Sequence, residues 1–443
     1  VTDESSLERF RTLLRIPTIS RADESHTQWH DFQRFLDALP TLYPRLHAEL
    51  SLEIVDGYSM LYRWAGLTTA DPTVLMAHYD VVAASDEGWR HPPFAAELVE
   101  SASGTEVWAR GTLDDKGALV AILEAVEAMV IECHQPEHDI YLCFGHNEET
   151  MGSGARSIVD LFEERNIRPA LVLDEGGAVV EGIFPGVTVP AAVVGVSEKG
   201  SMGVQLSVAQ VGGHASTPPR MSAPMRLARA IVRLGSRPFA ARLDATNLEM
   251  IRTLGAHARQ PYRLLFSRPR LTRPLLVRLF ARLSDETSAM VRTTQVTTEL
   301  SGSQAANAMA ETAQATLNVR IAVGSSVEAT LRHLRRAIRD PLVVITPVHP
   351  AEPSPVSPTS GTAWDTLGAS IRETYPGAIV TPYVMLAASD GRHFTRVSNH
   401  VYRFSPFEMS RDERGTLHAV NERIRVATFL QGIAFYRTLI AAV

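Results

Sequence analysis

His78 and Asp80 stand two residues apart in Met76-Ala77-His78-Tyr79-Asp80-Val81-Val82. Side chains two apart on a strand share a face, so both can address one place. A carboxylate beside a metal-binding imidazole fixes its tautomer and orientation. A structural histidine near a strand end is the plainer alternative for this pair alone. Asp114 and Asp115 follow Arg110-Gly111-Thr112-Leu113 and precede an apolar helical run. One aspartate can cap that helix while the other binds metal, and the two oxygens of a carboxylate can bridge two cations. Glu148 and Glu149 follow the apolar run that ends at Gly145. Adjacent glutamates there are costly unless paired or metal-bound. One can ligate a metal while its neighbour faces a bound water. Asp174 and Glu175 end another apolar run, and His418 lies in Gly415-Thr416-Leu417-His418.

Imidazoles mixed with carboxylates suit zinc, with manganese or cobalt as alternatives. Two such cations sharing a water would lower its pKa towards neutrality and make it a nucleophile. The acidic groups follow apolar, strand-like runs, and α/β sheets bind ligands beyond the carboxyl ends of their strands.

The elements that must position them alternate from about residue 50 to 195. Leu52–Val55, Val74–Val82, Ile140–Gly145, Leu171–Leu173 and Ala191–Val196 read as short buried strands. Ala118–Ile131 and Ala155–Arg165 read as helices between them. This predicts an α/β fold, a doubly wound mixed sheet covered on both faces. After Glu198-Lys199-Gly200 the texture changes. Met202–Val211, Thr293–Leu300 and Ala315–Ile321 read as strands and Ala223–Leu234 as a helix, which predicts a smaller α+β domain. Val327–Ile338, Leu342–Val348, Ile379–Leu386 and the closing helix Glu422–Ala442 resume the first texture. The expected organisation is therefore a catalytic domain of residues 1–197 and 322–443, interrupted by a lid of residues 198–321. Polar or glycine-containing stretches at 197–200 and 321–324 suit hinges.

The chain has 443 residues, more than one core usually supports. Its 43 basic and 49 acidic side chains leave a net charge of −6, so no nucleic-acid partner is expected. Cys133 and Cys143 are too few for a disulfide framework. With no secretory signal read at Val1-Thr2-Asp3, a cytoplasmic location is the expectation. Ala118–Ile131 is broken by Glu124 and Glu127 and is no membrane span. The arginine-rich stretch Arg263–Arg282 has the composition of a membrane-surface helix. Pro269 and Pro274 interrupt it. A solvated helix packed on its domain is preferred, and no membrane partner is expected.

Ordered along the chain are HYDVV, HPPF at 91–94, WARGTLDDKG, ILEAVEAM, YLCFGHNEE, VLDEGG, SEKG, GGHASTPP, RTT at 292–294, PSPVSP at 353–358 and HAVNERI. This set resembles the M20 metallopeptidase family, in its carboxypeptidase S and N-acyl-amino-acid hydrolase branch. The likeness runs from near residue 70 to the C-terminal helix. It implies that His78 and Asp174 hold one metal ion, that Glu149 and His418 hold the other, and that Asp114 bridges them. It implies that Asp80 orients His78 and that Glu148 is the general base and later the acid. It also implies a cis peptide between Asp114 and Asp115. His214 would polarise the scissile carbonyl, and Asn307 and Arg320 would hold the polar end of the substrate. Arg320 or Arg392 could grip a free carboxylate in bidentate geometry. Relatives often pair their lids, so a homodimer through the lid is expected, with His214 reaching the site by closure or from the other copy.

Two stretches depart from the pattern. Asn307-Ala308-Met309-Ala310 replaces Asn-Val-Ile-Pro, and Ser389-Asp390-Gly391-Arg392-His393 replaces Thr-Asp-Ser-Arg-His. The expected reaction is hydrolysis of an amide in a small peptide or N-acyl amino acid. A dipeptidase or deacetylase of the same family is the rival enzyme. A non-catalytic binding protein would have lost Glu148 or a ligand, and neither is lost. A nucleotide-binding reading of the glycines at 145–154 fails because no G-x-G-x-x-G follows a strand there.

Overall fold

The computed structural model describes residues 3–182, 184–303 and 305–443. The main sheet is mixed and ten-stranded. Its centre is Thr68–His78, flanked by the parallel strands His138–Gly145 and Leu171–Asp174. Registers pair His78 with Gly145 and Leu75 with Leu173, so the three strands end together on one side of the sheet. These strands are buried through their final residues, as apolar runs covered by helices on both faces should be. Lys116–Ile131 is a core helix, buried at every position from Lys116 to Met129. Its two glutamates are answered inside: Glu124 accepts from Ser6 Oγ at 2.7 Å, and Glu127 from the Leu46 amide at 2.6 Å. Those partners belong to the helices Asp3–Leu14 and Pro44–Glu49.

The second sheet has four antiparallel strands in the order Thr294–Ser301, Thr312–Ile321, Gly200–Ala209, Val344–Ala351. The helices Ala223–Gly235 and Val327–Ile338 supply Leu227, Leu234 and Leu334 to its core. The expected lid boundary at residue 321 therefore does not match the packing. Val327–Ile338 and Val344–Ala351 belong with the second sheet, which reaches Ala351. Val344–Ala351 is an edge strand and mostly exposed. Its pattern carried no sign of which sheet it would join.

Residues 236–290 differ from expectation in the other direction. Met250, Ile251, Leu254, Phe266, Leu276 and Phe280 join the core of the catalytic unit. The helix Ala245–Gly255 packs on the strand Ile379–Met385 of the main sheet. This arginine-rich insertion thus leaves the lid in sequence and docks beside the metal-binding face.

Candidate metal centre

His78 is the last residue of its strand, and its side chain is almost fully buried. Its Nδ1 lies 3.0 Å from the Asp80 carbonyl oxygen and 3.3 Å from Asp80 Oδ1. Nε2 is thereby turned outward, 3.0 Å from Asp114 Oδ1 and 3.6 Å from Glu175 Oε1. Asp80 is fully buried and does more than orient the imidazole. Its carboxylate accepts from the amides of Glu148 and Glu149 at 3.1 and 3.2 Å and from Ser20 Oγ at 2.6 Å. One aspartate thus sets both the ring and the turn that carries the two glutamates.

Asp114 precedes the helix Lys116–Ile131, and its peptide bond to Asp115 is cis, as expected. Glu422 holds the backbone before it, accepting from the Leu113 amide at 2.8 Å while Arg110 Nη1 binds its other oxygen at 2.6 Å. Asp114 Oδ2 lies 2.9 Å from His418 Nε2, and Glu149 Oε2 lies 3.1 Å from the same nitrogen. His418 adopts a left-handed backbone, φ 57°, in the loop after the helix Arg411–Arg414.

Two donor sets result, His78, Asp114 and Glu175, and Asp114, Glu149 and His418, each with ligand atoms within 4.8 Å of one another. They share Asp114, as the bridging role requires. Glu149 Oε1 is buried with no hydrogen-bond partner, which fits an oxygen that would ligate a cation. Proton affinities carry the same message. The hydrogen bonds it donates to Asp114 and Glu149 push the His418 imidazole up to about 10. Burial and the Asp114 charge push Glu175 up to about 8. Burial raises Glu148 well above the usual carboxylate range. These directions reflect the crowding of negative charge at the cluster. Two divalent ions fit the same demand, with the hard oxygen and imidazole donors they prefer.

Asp174 differs from expectation. It ends the strand Leu171–Asp174, but its Oδ2 accepts from the Gly391 amide at 2.6 Å. Glu175, the next residue, stands with His78 and Asp114 instead. The departure at position 391 explains the close approach, because a Cβ there would lie 2.9 Å from Asp174 Oδ2. Glu148 faces the cavity described below together with Asp114, Glu175 and His418.

The substrate-side residues fall into two groups. Arg320 sits on Thr312–Ile321 and is half-buried. Burial and the nearby Arg392 charge lower its pKa, and it feels the charges of Glu198 and Glu148. These two arginines therefore converge on the catalytic side. His214 and Asn307 lie together on a ribbon formed by Gly213–His214 and Ala308–Met309. Both are exposed, the Ala215 amide donates to the Asn307 carbonyl at 3.1 Å, and the His214 ring bonds Ser216. Among the described residues His214 has no hydrogen bond or ion pair with a metal-site residue.

A cavity of about 740 Å³ begins at Asp114, Glu148, Glu175 and His418 and continues between mainly apolar walls, with Ser284, Glu286, Thr287 and Arg414 also on its lining. Val180, Phe184 and Tyr383 come from the main domain, and Met250, Leu254 and Phe280 from the insertion. Residues 236–290 thus wall the site, which differs from their expected place in the lid. Their arginine-rich, proline-broken helical pattern says nothing about which sheet they cover.

Residues 74–442 match the peptidase family M20/M25/M40. A probable carboxypeptidase S-like protein of Dictyostelium discoideum is 34% identical over 99% of this chain and 85% of its own length. The N-fatty-acyl-amino acid synthase/hydrolase of Homo sapiens is 32% identical over 98% of this chain and 86% of its own length. The crystal structure of human carnosine dipeptidase 1 superposes with a TM-score of 0.72 at 13% identity, covering 99% of this chain and 96% of that one, and speaks for the fold. With two donor sets bridged by one aspartate and a match across most of its length, the chain belongs to peptidase family M20/M25/M40, the metal-dependent amide hydrolases.

Proposed function

We propose that the chain hydrolyses the amide bond of N-acyl amino acids whose acyl group is long and apolar. The observation that carries this reading is the cavity, whose polar end is the metal centre and whose body is lined by Phe184, Met250, Leu254 and Phe280. A peptide side would need hydrogen-bonding walls, whereas an aliphatic chain is stabilised by about 0.8 kcal/mol for each methylene buried. The human relative's name, an N-fatty-acyl-amino acid hydrolase, supports the same substrate class.

His78, Asp114 and Glu175 would hold one divalent ion, and Asp114, Glu149 and His418 the other, with zinc the expected metal. When bound, such ions polarise the scissile carbonyl and lower the pKa of a water towards neutrality. Glu148 accepts the proton of the attacking water and returns it to the leaving nitrogen. It faces the cavity beside Asp114, Glu175 and His418, within the region where the water and the scissile amide would meet. Asp80 holds His78 and the turn at Glu148 in place. Arg320 and Arg392 take the substrate carboxylate. His214 and Asn307 complete the oxyanion site when the lid closes or when a second copy of the chain supplies them. A homodimer through the lid is part of this proposal.

The test is a panel of N-acyl glycines of rising chain length beside dipeptides, assayed with zinc, cobalt or manganese. The reading expects kcat/KM to rise with acyl length. Dipeptides cleaved as well as the long-chain substrates would replace it with a dipeptidase.

A further inference from the structure

Between Met250 and Ser284 the chain carries eight arginines and no acidic residue, although the whole protein is net −6. The structure folds this stretch as two short helices, Tyr262–Phe266 and Arg273–Leu283, joined by a tight turn. In that turn the amides of Leu271 and Thr272 donate to the Arg268 carbonyl. The two prolines that interrupt a single long helix serve this arrangement. Pro269 is buried in the turn, and Pro274 occupies the first turn of the second helix, where no amide is missed.

The pair has two faces. Phe266, Leu276 and Phe280 point inward, and Phe184 meets Phe266 and Phe280 at centroid distances of 4.8 and 6.0 Å. Leu264, Leu271 and Leu275 point outward and are 74%, 75% and 55% exposed. Around them Arg263, Arg268, Arg270, Arg278 and Arg282 are exposed. None of these five has an acidic partner among the described residues. A groove beside the turn is lined by Arg252, Arg268 and Arg270 together with Leu248, Leu271 and Glu249, whose carboxylate accepts from Thr359 Oγ1 at 3.1 Å. Exposed leucines ringed by unpaired guanidinium groups are what an interfacial helix presents to lipid: apolar groups for the acyl region, cations for phosphates. Leu283 links the two faces, because it lines the substrate cavity and is 48% exposed. The cavity therefore reaches the surface at the end of the same helix.

We infer that this helical pair docks the protein on an anionic phospholipid bilayer. Leu264, Leu271 and Leu275 enter the headgroup boundary while the surrounding arginines bind lipid phosphates. The mouth at Leu283 then opens next to the phase in which long-chain acyl compounds concentrate. Charge complementarity favours this occupant, because five exposed guanidinium groups without acidic partners match the phosphates of an anionic bilayer. This departs from the sequence expectation of no membrane partner. It goes beyond the proposed hydrolysis, and vesicle binding is read without any substrate, so either can fail alone.

The test is flotation of the whole, metal-loaded protein with vesicles of phosphatidylglycerol and phosphatidylcholine, or of phosphatidylcholine alone, at low and high salt. Each arginine near the surface contributes about fivefold to partitioning. Binding to the anionic vesicles should exceed binding to the neutral ones at least tenfold and weaken as salt rises. Arg263→Gln/Arg268→Gln/Arg270→Gln should abolish that preference. Leu264→Ser/Leu271→Ser/Leu275→Ser should weaken binding to the anionic vesicles at both salt concentrations. Both triple variants alter exposed side chains, and each should hydrolyse a short, soluble N-acyl amino acid at the parent rate. Equal binding of the parent to both vesicle types overturns the inference, as does undiminished binding by either variant. A dimer by light scattering that the leucine variant dissociates, with no vesicle binding by the parent, reassigns the face to self-association. Nucleic-acid binding that the arginine variant loses, with no vesicle binding by the parent, reassigns the face to that partner.

Discussion

Asp114 stands between two imidazoles, with Oδ1 3.0 Å from His78 Nε2 and Oδ2 2.9 Å from His418 Nε2. A single side chain thus belongs to both donor sets. Asp114→Asn keeps the shape but halves the acceptor capacity and removes the shared charge. The purified variant should hold less than half of the parent's metal by elemental analysis, and its hydrolysis should fall below detection. A variant that retains both metals would show that the bridge is not needed for binding. Exhaustive chelation of the parent should abolish hydrolysis in the same way, and zinc, cobalt or manganese should restore it.

Glu148 and Glu149 are adjacent, yet they face different partners. Glu149 Oε2 reaches His418 and its other oxygen is buried without a partner, whereas Glu148 faces the cavity. Glu148→Gln should keep both metals and lose about 10²–10⁴-fold in kcat, the usual contribution of a positioned general base. Glu149→Gln should release metal instead, because an amide cannot supply the charge that the cation needs. Elemental analysis beside kcat separates the two, and the reverse pattern would exchange their roles.

Much of this site could be read before folding. His78 and Asp80 announced a shared face because a strand has period two, and Asp114, Glu148 and Glu149 followed apolar runs that had to end at one side of a sheet. Glu422 was visible only as part of a motif. Its grip on the Leu113 amide comes from a contact more than three hundred residues apart in sequence. Residues 236–290 were legible as helices and arginines. Their attachment to the catalytic core depends on where Phe266 and Phe280 find Phe184, which no local periodicity encodes. The choice between Asp174 and Glu175 was equally closed, since neighbouring carboxylates at a strand end differ only in which tertiary group meets them.

That choice can be measured. Asp174 Oδ2 is occupied by the Gly391 amide at 2.6 Å, while Glu175 Oε1 lies 3.6 Å from His78 Nε2. Glu175→Gln should therefore lose about one metal equivalent. Asp174→Asn still offers an oxygen to the Gly391 amide and should keep both ions, with the 10–100-fold weakening typical of residues that support a ligand. Competition with a chromophoric chelator reads both affinities. If Asp174→Asn loses an equivalent and Glu175→Gln does not, the ligand is Asp174, as the family resemblance implied.

The cavity mouth offers a change that spares both the core and the metals. Leu283 lines the cavity at the end of the helix Arg273–Leu283 and is 48% exposed, so a larger side chain can be accommodated without overpacking the interior. Leu283→Trp should narrow the path of an acyl chain while leaving the carboxylates and imidazoles untouched. Each methylene kept out of the cavity forfeits about 0.8 kcal/mol, or roughly fourfold in kcat/KM. Hydrolysis of an N-acetyl amino acid should therefore stay at the parent level. The long-chain substrate should lose activity by a factor that grows with the number of methylenes excluded, mostly through KM, because the lost contacts are made in ground state and transition state alike. Equal losses on both substrates would mean that Leu283 acts on the centre itself. Unchanged kinetics on both would place the acyl chain elsewhere.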